Sequence, residues 1–353
     1  MLDNPYAFSS GCWLYRNHLP GLALRAKGHM VKNIILGRQV QNEFLEYPDV
    51  VVFSRTYPID PIVAVRQFKR AGKKVVYEID DNLWDVNPDN PSVSISKDKR
   101  VQYEKLMREV DLITTTTPEL AKLLKKFNKN VVVCPNSVDY DLFKEKEGKN
   151  DVLRIGYTGA SSHWKDLTLI TDVLIELKKK YDFTFHVQGM TGTPIESEMY
   201  GYQQMLKYGL KPEQNDYLKT ALDWFENMRK LGFTHTPFYP PELFPSVLRR
   251  CNIDIGLAPL MDNKFNHSKS CVKFYEYAAT GTVTLASDVL PYNTEVGYCA
   301  KNTFKDWYEK LEKLIVDEKF RKKLLAKQQK WVKDNRDLSK VVDIWEKAFD
   351  PKK

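Results

Sequence analysis

The stretch KSCVKFYEYAATGTVTLASD, residues 269–288, predicts a buried helix followed at once by a buried strand. Aromatic and small apolar residues fill the helical part, and Gly281 precedes the apolar run TVTLAS. Glycine commonly follows the last turn of a helix because it adopts the left-handed backbone conformation without strain. A helix that feeds directly into a buried strand is the repeating unit of a parallel sheet, so this stretch predicts an α/β fold.

The same alternation of apolar runs and amphipathic stretches extends through most of the chain. Helical stretches such as IDPIVAVRQFKRAG and KDLTLITDVLIELKKKY separate the apolar runs, which favours parallel pairing of consecutive strands. We therefore predict an α/β protein with two Rossmann-like, doubly wound domains that face a cleft. The predicted strands are MVKNIILG, DVVVFS, KKVVYEID, DLITTTT, NVVVCPNSVD, LRIGYTGAS, DFTFHVQGM, NIDIGLAPL and TVTLAS.

A polar segment rich in lysine, YDLFKEKEGKND (residues 140–151), is the predicted linker between the two domains. The first domain is assigned to residues 1–145 and the second to residues 150–330. The second domain contains a polar insertion at about 190–232 that is rich in tyrosine and methionine, and the sequence leaves its role open. Ligands of doubly wound sheets bind at the carboxyl ends of the strands, so we expect the functional site in the cleft.

The composition of the 353 residues restricts the class of protein. With 42% hydrophobic and 28% charged residues, no long apolar run and no secretory pattern in MLDNPYAFSS, the chain is expected to be a cytoplasmic protein without an integral membrane segment. Its five cysteines include no C-x-x-C pair and its six histidines no H-E-x-x-H motif, which argues against disulfides and structural zinc. The net charge of +8 permits a polyanionic partner, but solvated helix faces explain it more simply.

A loop of small residues follows the strand LRIGYTGAS. Gly159 and Ala160 would let a phosphate approach backbone amides, and the helix that begins nearby supplies unpaired N–H groups. Lys165, in the first turn of that helix, would neutralise a diphosphate oxygen as a point charge. The alternative is an ordinary loop in which Ser161 or Ser162 caps the helix.

The opening stretch offers a second anion site. The backbone amides of Lys269, Ser270 and Cys271 lie at a predicted helix start, and Glu276 could accept two hydrogen bonds from a vicinal diol such as a ribose. The alternative is structural, because Lys273 and Glu276 are spaced to pair on a helix surface.

The first half contains further candidates near its predicted strand ends. Asp80 and Asp81 would hold a metal ion or contact sugar hydroxyls, and Trp84 would stack on a ring, although such residues are equally common in turns. Arg16 or His18 would face the cleft from the first turn after a strand, with a surface loop as the alternative.

Several of these segments together resemble a known family. IGYTGASSHWKDL, CNIDIGLAPL and NHSKSCVKFYEYAATGTVTLASD resemble the second domain of family-4-like retaining glycosyltransferases of the GT-B fold, and GLALRAKGHMV, VVYEIDDNLWD, DLITTTTPELAKLL and VVVCPNSVDYDLF resemble the first. The resemblance covers most of the chain apart from the insertion. It implies transfer of a sugar, from a UDP-sugar rather than a GDP-sugar, to an acceptor hydroxyl with retention of configuration and without cofactor or metal.

The resemblance also implies roles for single residues. Glu276 is similar to the acid that holds the donor's ribose, and Lys165 to the lysine that contacts the diphosphate. The C-terminal helix, about residues 331–353, is similar to one that packs back onto the first domain. The complete set of candidates is Lys165, Asp80 and Arg16 for catalysis; Glu276, Gly159, Ala160, His163, Lys269, Ser270, Cys271 and Val272 for the donor; and Asp81, Trp84 and Asn136 for the acceptor or sugar.

The chain departs from the family pattern at three positions. Ser268 stands where a glutamate often lies eight positions before Glu276, Ala160 replaces an arginine, and Asp80 falls near the place of a frequent histidine. The side chains that would compensate are His163, Lys269 and Arg16.

The sequence leaves the partners open. The acceptor is either a cell-surface or lipid-linked saccharide, with the protein at the inner membrane face, or a modified base in DNA, as in phage-encoded enzymes. Two other functions also remain: a non-catalytic protein that binds a sugar nucleotide or nucleic acid, and a metal-dependent transferase that uses Asp80 and Asp81. The oligomeric state is not predicted.

Overall fold

The chain forms two α/β halves, each built on a six-stranded sheet with parallel pairing. This arrangement, taken from a computed structural model, confirms the predicted fold of two Rossmann-like domains. The structure describes residues 2–3, 11–35, 45–54, 61–86, 97–144, 146, 148–160, 163–189 and 226–352.

The first sheet has the strand order β2-β1-β3-β4-β5-β6. Its central strands are buried on both faces, because helices cover the two sides of a parallel sheet. The strands are β1 (Leu2–Asp3), β2 (Ile34–Ile35), β3 (Val50–Ser54), β4 (Lys74–Glu78), β5 (Leu112–Thr115) and β6 (Val131–Val133).

The helices of the first half alternate with its strands. Between β1 and β2, two α-helical pieces flank a π-helical segment, Leu14–His18. The α-helices are α1 (Gly11–Trp13), α2 (Leu19–Ala26), α3 (Pro61–Arg70), α4 (Lys97–Glu109), α5 (Pro118–Leu124) and α6 (Tyr140–Phe143).

The second sheet has the order β12-β11-β10-β7-β8-β9. The change of direction between β7 and β10 is the switch point at which doubly wound sheets open a crevice for ligands. The strands are β7 (Arg154–Thr158), β8 (Thr184–Gln188), β9 (Phe233–Thr236), β10 (Ile255–Ala258), β11 (Val283–Ser287) and β12 (Cys299–Ala300).

Helices cover both faces of the second sheet and continue to the end of the chain. They are α7 (Trp164–Lys178), α8 (Phe244–Cys251), α9 (Lys264–His267), α10 (Val272–Ala279), α11 (Tyr292–Glu295), α12 (Phe304–Val316), α13 (Glu318–Asn335) and α14 (Leu338–Ala348). Among the described residues, no helix combines the length and the apolar character needed to cross a bilayer.

Close packing sets the position of α10 against the second sheet. A Cβ atom on Gly256 would lie 2.4 Å from the ring of Tyr277, so only glycine lets the helix approach β10 this closely. The Tyr277 hydroxyl accepts a hydrogen bond from the backbone N–H of Thr158 at 2.8 Å. This contact holds α10 against the end of β7. It thereby also sets the position of Glu276, the residue before Tyr277 in α10.

The two halves are connected by the end of the chain. Residues of α14, including the fully buried Trp345, pack against Val52 and Val76 of the first sheet. Backbone bonding between Val138 and Asp337 adds a parallel bridge between the halves. The helix α13, in contrast, packs on α10 and β11 of the second half.

Some elements differ from the sequence prediction. The strands β1, β9 and β12, which are two to four residues long, were not predicted. The predicted linker begins with the short helix α6, whose Phe143 is buried against Phe244 of the second half. Residues 190–225 of the insertion lie outside the described residues.

Candidate active site in the cleft

A cavity of about 300 Å³ lies between the two halves. It is lined by residues that follow the carboxyl ends of strands in both sheets, among them Asp80 after β4, Asn136 after β6 and Gly159 after β7. Volumes of this size are at the lower end of those that hold small-molecule ligands. The site therefore lies where the sequence pattern of doubly wound sheets predicts it.

The loop after β7 reaches the cavity through Gly159, Ala160 and His163. Gly159 has a positive φ of 157°, and a Cβ atom there would lie 2.6 Å from the hydroxyl of Tyr157. Glycine is thus required at this position, although its backbone N–H already donates to the carbonyl oxygen of Gln188 at 3.0 Å. Ser161 and Ser162, the predicted caps, lie outside the described residues.

A chain of polar contacts orients Lys269 in the cavity. Asp166 lies 2.6 Å from Nδ1 of His163 and accepts a hydrogen bond from the backbone N–H of Met261. Burial and the charges of Lys269 and Lys273 lower the pKa of His163 to about 3, so its ring is neutral at physiological pH. A neutral ring that donates from Nδ1 to Asp166 has Nε2 free to accept from Lys269 Nζ, 3.4 Å away.

Two lysines from the start of α10 bring positive charge to the cavity. Lys269 and Lys273 both line it, beside Ser270 and Val272. Burial and the nearby charge of Lys269 lower the pKa of Lys273 to about 8. Two cations held this close without full solvation favour an anion between them. Cys271 is the exception in this segment, because it is buried in the hydrophobic core and is not among the residues that line the cavity.

Glu276 contributes a carboxylate to the same cavity. Its side chain is 5% exposed, and Oε1 accepts a hydrogen bond of 2.5 Å from the hydroxyl of Tyr15 in the first half. Burial raises the pKa of Glu276 to about 7, against the opposing effects of Tyr15 and Lys273. The alternative of a solvated surface pair between Lys273 and Glu276 is therefore wrong, since both side chains line a cavity.

Lys165 does not belong to this cavity. It is the second residue of α7 and partly buried, but it is not among the residues that line the cleft. The contact of Lys165 with a diphosphate therefore stays a prediction, whereas Lys269 and Lys273 bring positive charge to the cavity itself.

Arg16, a predicted catalytic residue, lies in the interior of the first half and is not among the residues that line the cavity. Its side chain is 1% exposed, pairs with both carboxylate oxygens of Glu78 at 2.7 and 3.1 Å, and lies over the ring of Trp345. It also donates to the side-chain oxygen of Asn136, whose amide nitrogen in turn donates to Ser270 Oγ at 2.7 Å. Arg16 therefore does not line the cavity, and it contacts a lining residue through its hydrogen bond to Asn136.

The acidic pair of the first half does line the cavity, and its neighbour Trp84 does not. Asp80 and Asp81 lie with Cys12 in a group whose ligand-type atoms are within 4.8 Å of one another. Trp84 stacks on Phe127 with ring centroids 5.0 Å apart. Its indole nitrogen donates to Glu104, so Trp84 packs within the first half instead of presenting a ring to a sugar.

Ser268, which occupies the place of the family's second glutamate, makes contacts across the cleft. Its carbonyl oxygen accepts from the Thr117 hydroxyl at 2.9 Å, and its own hydroxyl accepts from the amide of Asn82 at 3.3 Å. It is 5% exposed and is not among the lining residues. This position therefore joins the two halves.

Several lining residues were missed by sequence reasoning. Tyr15, Gln188, Phe238 and Tyr239 all reach the cavity, and the last two are 44% and 38% exposed. The run PFYPPE after β9, with two adjacent aromatic residues between prolines, was the one local signal. The others occupy ordinary helix and strand positions, and only the fold brings them to the cleft.

Comparison with known proteins shows the fold without a sequence relationship. No family model and no curated protein matches the chain. Anabaena Alr3699/HepE in complex with UDP-glucose matches with a TM-score of 0.65 and 14% identity, over 98% of this chain and 97% of that one. An α-glucosyltransferase in complex with UDP and DNA containing an HMU base matches with a TM-score of 0.57 and 12% identity, over 90% of this chain and 84% of that one.

A third similar structure is a longer protein. A mutant of S. aureus TarM in complex with fondaparinux, α-GlcNAc-glycerol and UDP matches with a TM-score of 0.52 and 11% identity, over 79% of this chain. The chain spans 51% of the length of that TarM chain. These likenesses establish that the chain has the two-domain GT-B fold.

Proposed function

We propose that this protein is a glycosyltransferase that moves a sugar from a nucleoside diphosphate donor to a hydroxyl group of an acceptor. The observation that carries the proposal is the convergence of Lys269, Lys273 and Glu276, from one short helical segment, on a cavity between the two halves. Two cations suit a diphosphate, and a buried carboxylate with a free oxygen suits the two hydroxyls of a ribose.

The donor is proposed to be a UDP-sugar. HepE, TarM and the α-glucosyltransferase, which share the fold, are in complexes with UDP or UDP-glucose. The exposed rings of Phe238 and Tyr239 lie on the same cavity and would give the base a surface for stacking. These contacts support a donor that lies with its base toward β9, its ribose at Glu276 and its diphosphate at the two lysines.

The proposed chemistry is electrostatic. Departure of the nucleoside diphosphate places negative charge on the leaving oxygen, and Lys269 and Lys273, which both line the cavity, would stabilise it. The acceptor hydroxyl attacks the face from which the diphosphate leaves, so configuration is retained, and the leaving phosphate takes the proton of the hydroxyl. Asp80 and Asp81, on the opposite wall, would orient the sugar and the acceptor.

The acceptor is proposed to be either a cell-surface or lipid-linked saccharide or a modified base in DNA. TarM is in a complex with two glycan ligands, and the α-glucosyltransferase is in a complex with DNA, so the shared fold is compatible with both. With a lipid-linked acceptor the protein would work at the inner membrane face, and with DNA in the cytoplasm. Affinity for DNA would fall steeply with salt, which separates the two cases.

A panel of UDP- and GDP-sugars, with release of free nucleoside diphosphate as the readout, tests the proposal. We expect release from at least one UDP-sugar, faster with the correct acceptor, and loss of release in Glu276→Gln. Binding of the sugar nucleotide without any release, across acceptors of both classes, would instead favour a non-catalytic binding protein.

A metal-dependent transferase is the second candidate. It is favoured by the group formed by Cys12, Asp80 and Asp81, which offers a thiol and two carboxylates. A metal ion there would be held by these side chains and would stabilise the leaving diphosphate as a Lewis acid. Full activity in EDTA would exclude this candidate, whereas activity restored by Mn²⁺ or Mg²⁺ would exclude the metal-independent one.

A further inference from the structure

We propose that Tyr15 is a positioning residue of the donor site, whose hydroxyl stabilises the ionised form of the Glu276 carboxylate and orients it for the hydroxyls of the ribose. The inference rests on the proposed function, because it assigns Glu276 to the ribose of a nucleotide. It adds that the first half of the molecule takes part in binding the ribose through a side chain that never touches the donor's reacting atoms.

Tyr15 belongs to the first half by sequence but is buried in the second. It lies in the π-helical segment Leu14–His18, and its ring packs in a core formed mainly by residues of the second half, including Phe274 and Tyr292. The next residue, Arg16, is locked to Glu78 in the first half. The backbone of Tyr15 is therefore held by the first half through its neighbour Arg16. The hydroxyl of Tyr15 lies 2.5 Å from Glu276 of the second half.

The hydrogen bond leaves room for a ribose. A carboxylate has about four acceptor positions, and the hydroxyl of Tyr15 uses one of them, on Oε1. Oε2 and the second position on Oε1 remain for a vicinal diol. Both Tyr15 and Glu276 line the cavity, so a nucleotide that reaches Glu276 meets the tyrosine as well.

Against the effect of burial, Tyr15 and Lys273 are the groups that favour the ionised form of the Glu276 carboxyl. Besides Lys273 on its own helix, the groups that face Glu276 are tyrosines from three other places: Tyr15, Tyr157 at the end of β7 and Tyr292 of α11, with Tyr277 next to it. Burial raises the pKa of each of these phenols, so all stay protonated near neutral pH. Of these four phenols, Tyr15 is the one whose hydroxyl donates to Glu276.

Removing this hydroxyl should weaken the ribose contact in a way that depends on pH. A donor to a carboxylate stabilises the charged form, so Tyr15→Phe raises the pKa of Glu276 further above its ordinary value. Only the ionised carboxylate accepts from both ribose hydroxyls, so the contact is present above that pKa and lost below it. We expect the midpoint to rise by about one pH unit, the change that one charge-assisted hydrogen bond produces.

Calorimetric titration with UDP and with 2′,3′-dideoxyuridine diphosphate, from pH 6 to pH 8.5, tests the proposal. The terminal phosphate titrates equally in both probes, so the ratio of their affinities isolates the ribose contact. The matched control is Tyr275→Phe, because Tyr275 is the neighbour of Glu276 on α10 and its hydroxyl donates to a different carboxylate, that of Glu295, at 2.5 Å. At pH 7 the ratio should fall about fivefold in Tyr15→Phe, because the ionised fraction of Glu276 falls by about that factor, and it should stay unchanged in Tyr275→Phe.

Each outcome decides between the two proposals. A smaller ratio at pH 7 that recovers toward pH 8.5 supports the role of Tyr15. An equal loss for both probes, as from a merely disturbed cleft, or an unchanged ratio overturns it while leaving the proposed function in place. Failure of the unmodified protein to bind either probe overturns the proposed function and the role of Tyr15 with it.

Discussion

The guanidinium group of Arg16 pairs with both carboxylate oxygens of Glu78 in the interior of the first half, with both side chains no more than 2% exposed. The hydroxyl of Thr114 donates to the same carboxylate, and Arg16 also reaches the carbonyl oxygen of Cys134. This network fixes the helix that carries Tyr15 relative to the sheet and to Asn136. Its role is therefore to maintain the shape of the cleft.

Replacement of Arg16 should therefore affect stability before it affects chemistry. Arg16→Met leaves Glu78 buried without its partner, and we expect a loss of about 3–5 kcal/mol in the free energy of unfolding. Urea unfolding followed by circular dichroism measures it. Lys27→Met, which removes an exposed ion pair with Asp343, is the control and should change the midpoint little. An Arg16→Met protein that is as stable as the unmodified protein but cannot release UDP would instead indicate a catalytic role for Arg16.

The lysines of the cavity should be separable from Lys165 by kinetics. Lys269→Ala and Lys273→Ala remove charge that stabilises the leaving diphosphate, and we expect each to lower kcat/KM by about 10²–10³-fold. Lys165→Ala serves as the matched control on the neighbouring helix and should stay within about threefold of the unmodified protein, since Lys165 does not line the cavity. A larger loss of kcat/KM in Lys165→Ala than in Lys269→Ala and Lys273→Ala would show that Lys165 contacts the donor.

Donor affinity should be greatest between about pH 7 and pH 8. Burial raises the pKa of Glu276 to about 7, so the carboxylate that accepts from the ribose is lost as the pH falls below that value. Burial and Lys269 lower the pKa of Lys273 to about 8, so its charge is lost as the pH rises above that value. Calorimetric titration with UDP-glucose, whose diphosphate does not titrate in this range, measures the profile.

Two variants separate the contributions of Glu276 and Lys273 to this dependence of donor affinity on pH. Glu276→Gln should bind weakly at every pH and lose the acidic limb, while Lys273→Met should lose the alkaline limb. An acidic limb that persists in Glu276→Gln would assign the titration to another group.

The position of Gly256 gives a prediction about packing. Gly256→Ala places a Cβ atom against the ring of Tyr277, which is fully buried and cannot move aside. We expect a loss of about 1–3 kcal/mol in the free energy of unfolding, by the usual effect of overpacking. Gly11→Ala, where a Cβ atom meets nothing within 4 Å, is the control. Equal stability of the two variants would contradict the close approach of α10 to β10.

Much of this molecule follows from local sequence pattern. The alternation of apolar runs and helical stretches predicts the two sheets, and Gly281, which has a positive φ of 76°, ends its helix as the opening stretch indicates. Glu276 and the loop at Gly159 were also predicted, because a carboxylate inside an apolar helix and small residues after a strand are unusual. Both signals are contained within a few residues.

The structure departs from the sequence-based expectations where the surroundings of a residue depend on distant partners. Arg16 has the position of a cleft residue in the sequence, and only the fold reveals Glu78, 62 positions away, as its partner. In the same way, Trp84 stacks on Phe127, and Tyr15 donates a hydrogen bond to Glu276, which is 261 positions away. No spacing rule connects such pairs, so the direction of a side chain cannot be predicted from its place on a helix or loop alone.

The most direct test of the central claim is thermal unfolding of the protein and of Glu276→Gln in the presence of UDP-glucose. A donor at a hundred times its Kd should stabilise the unmodified protein by about 2.7 kcal/mol, and Glu276→Gln should show little of that gain at the same concentration. Equal stabilisation of both proteins would contradict the assignment of Glu276 to the ribose. An unchanged melting temperature with every UDP-sugar and GDP-sugar would contradict a sugar-nucleotide site in the cleft.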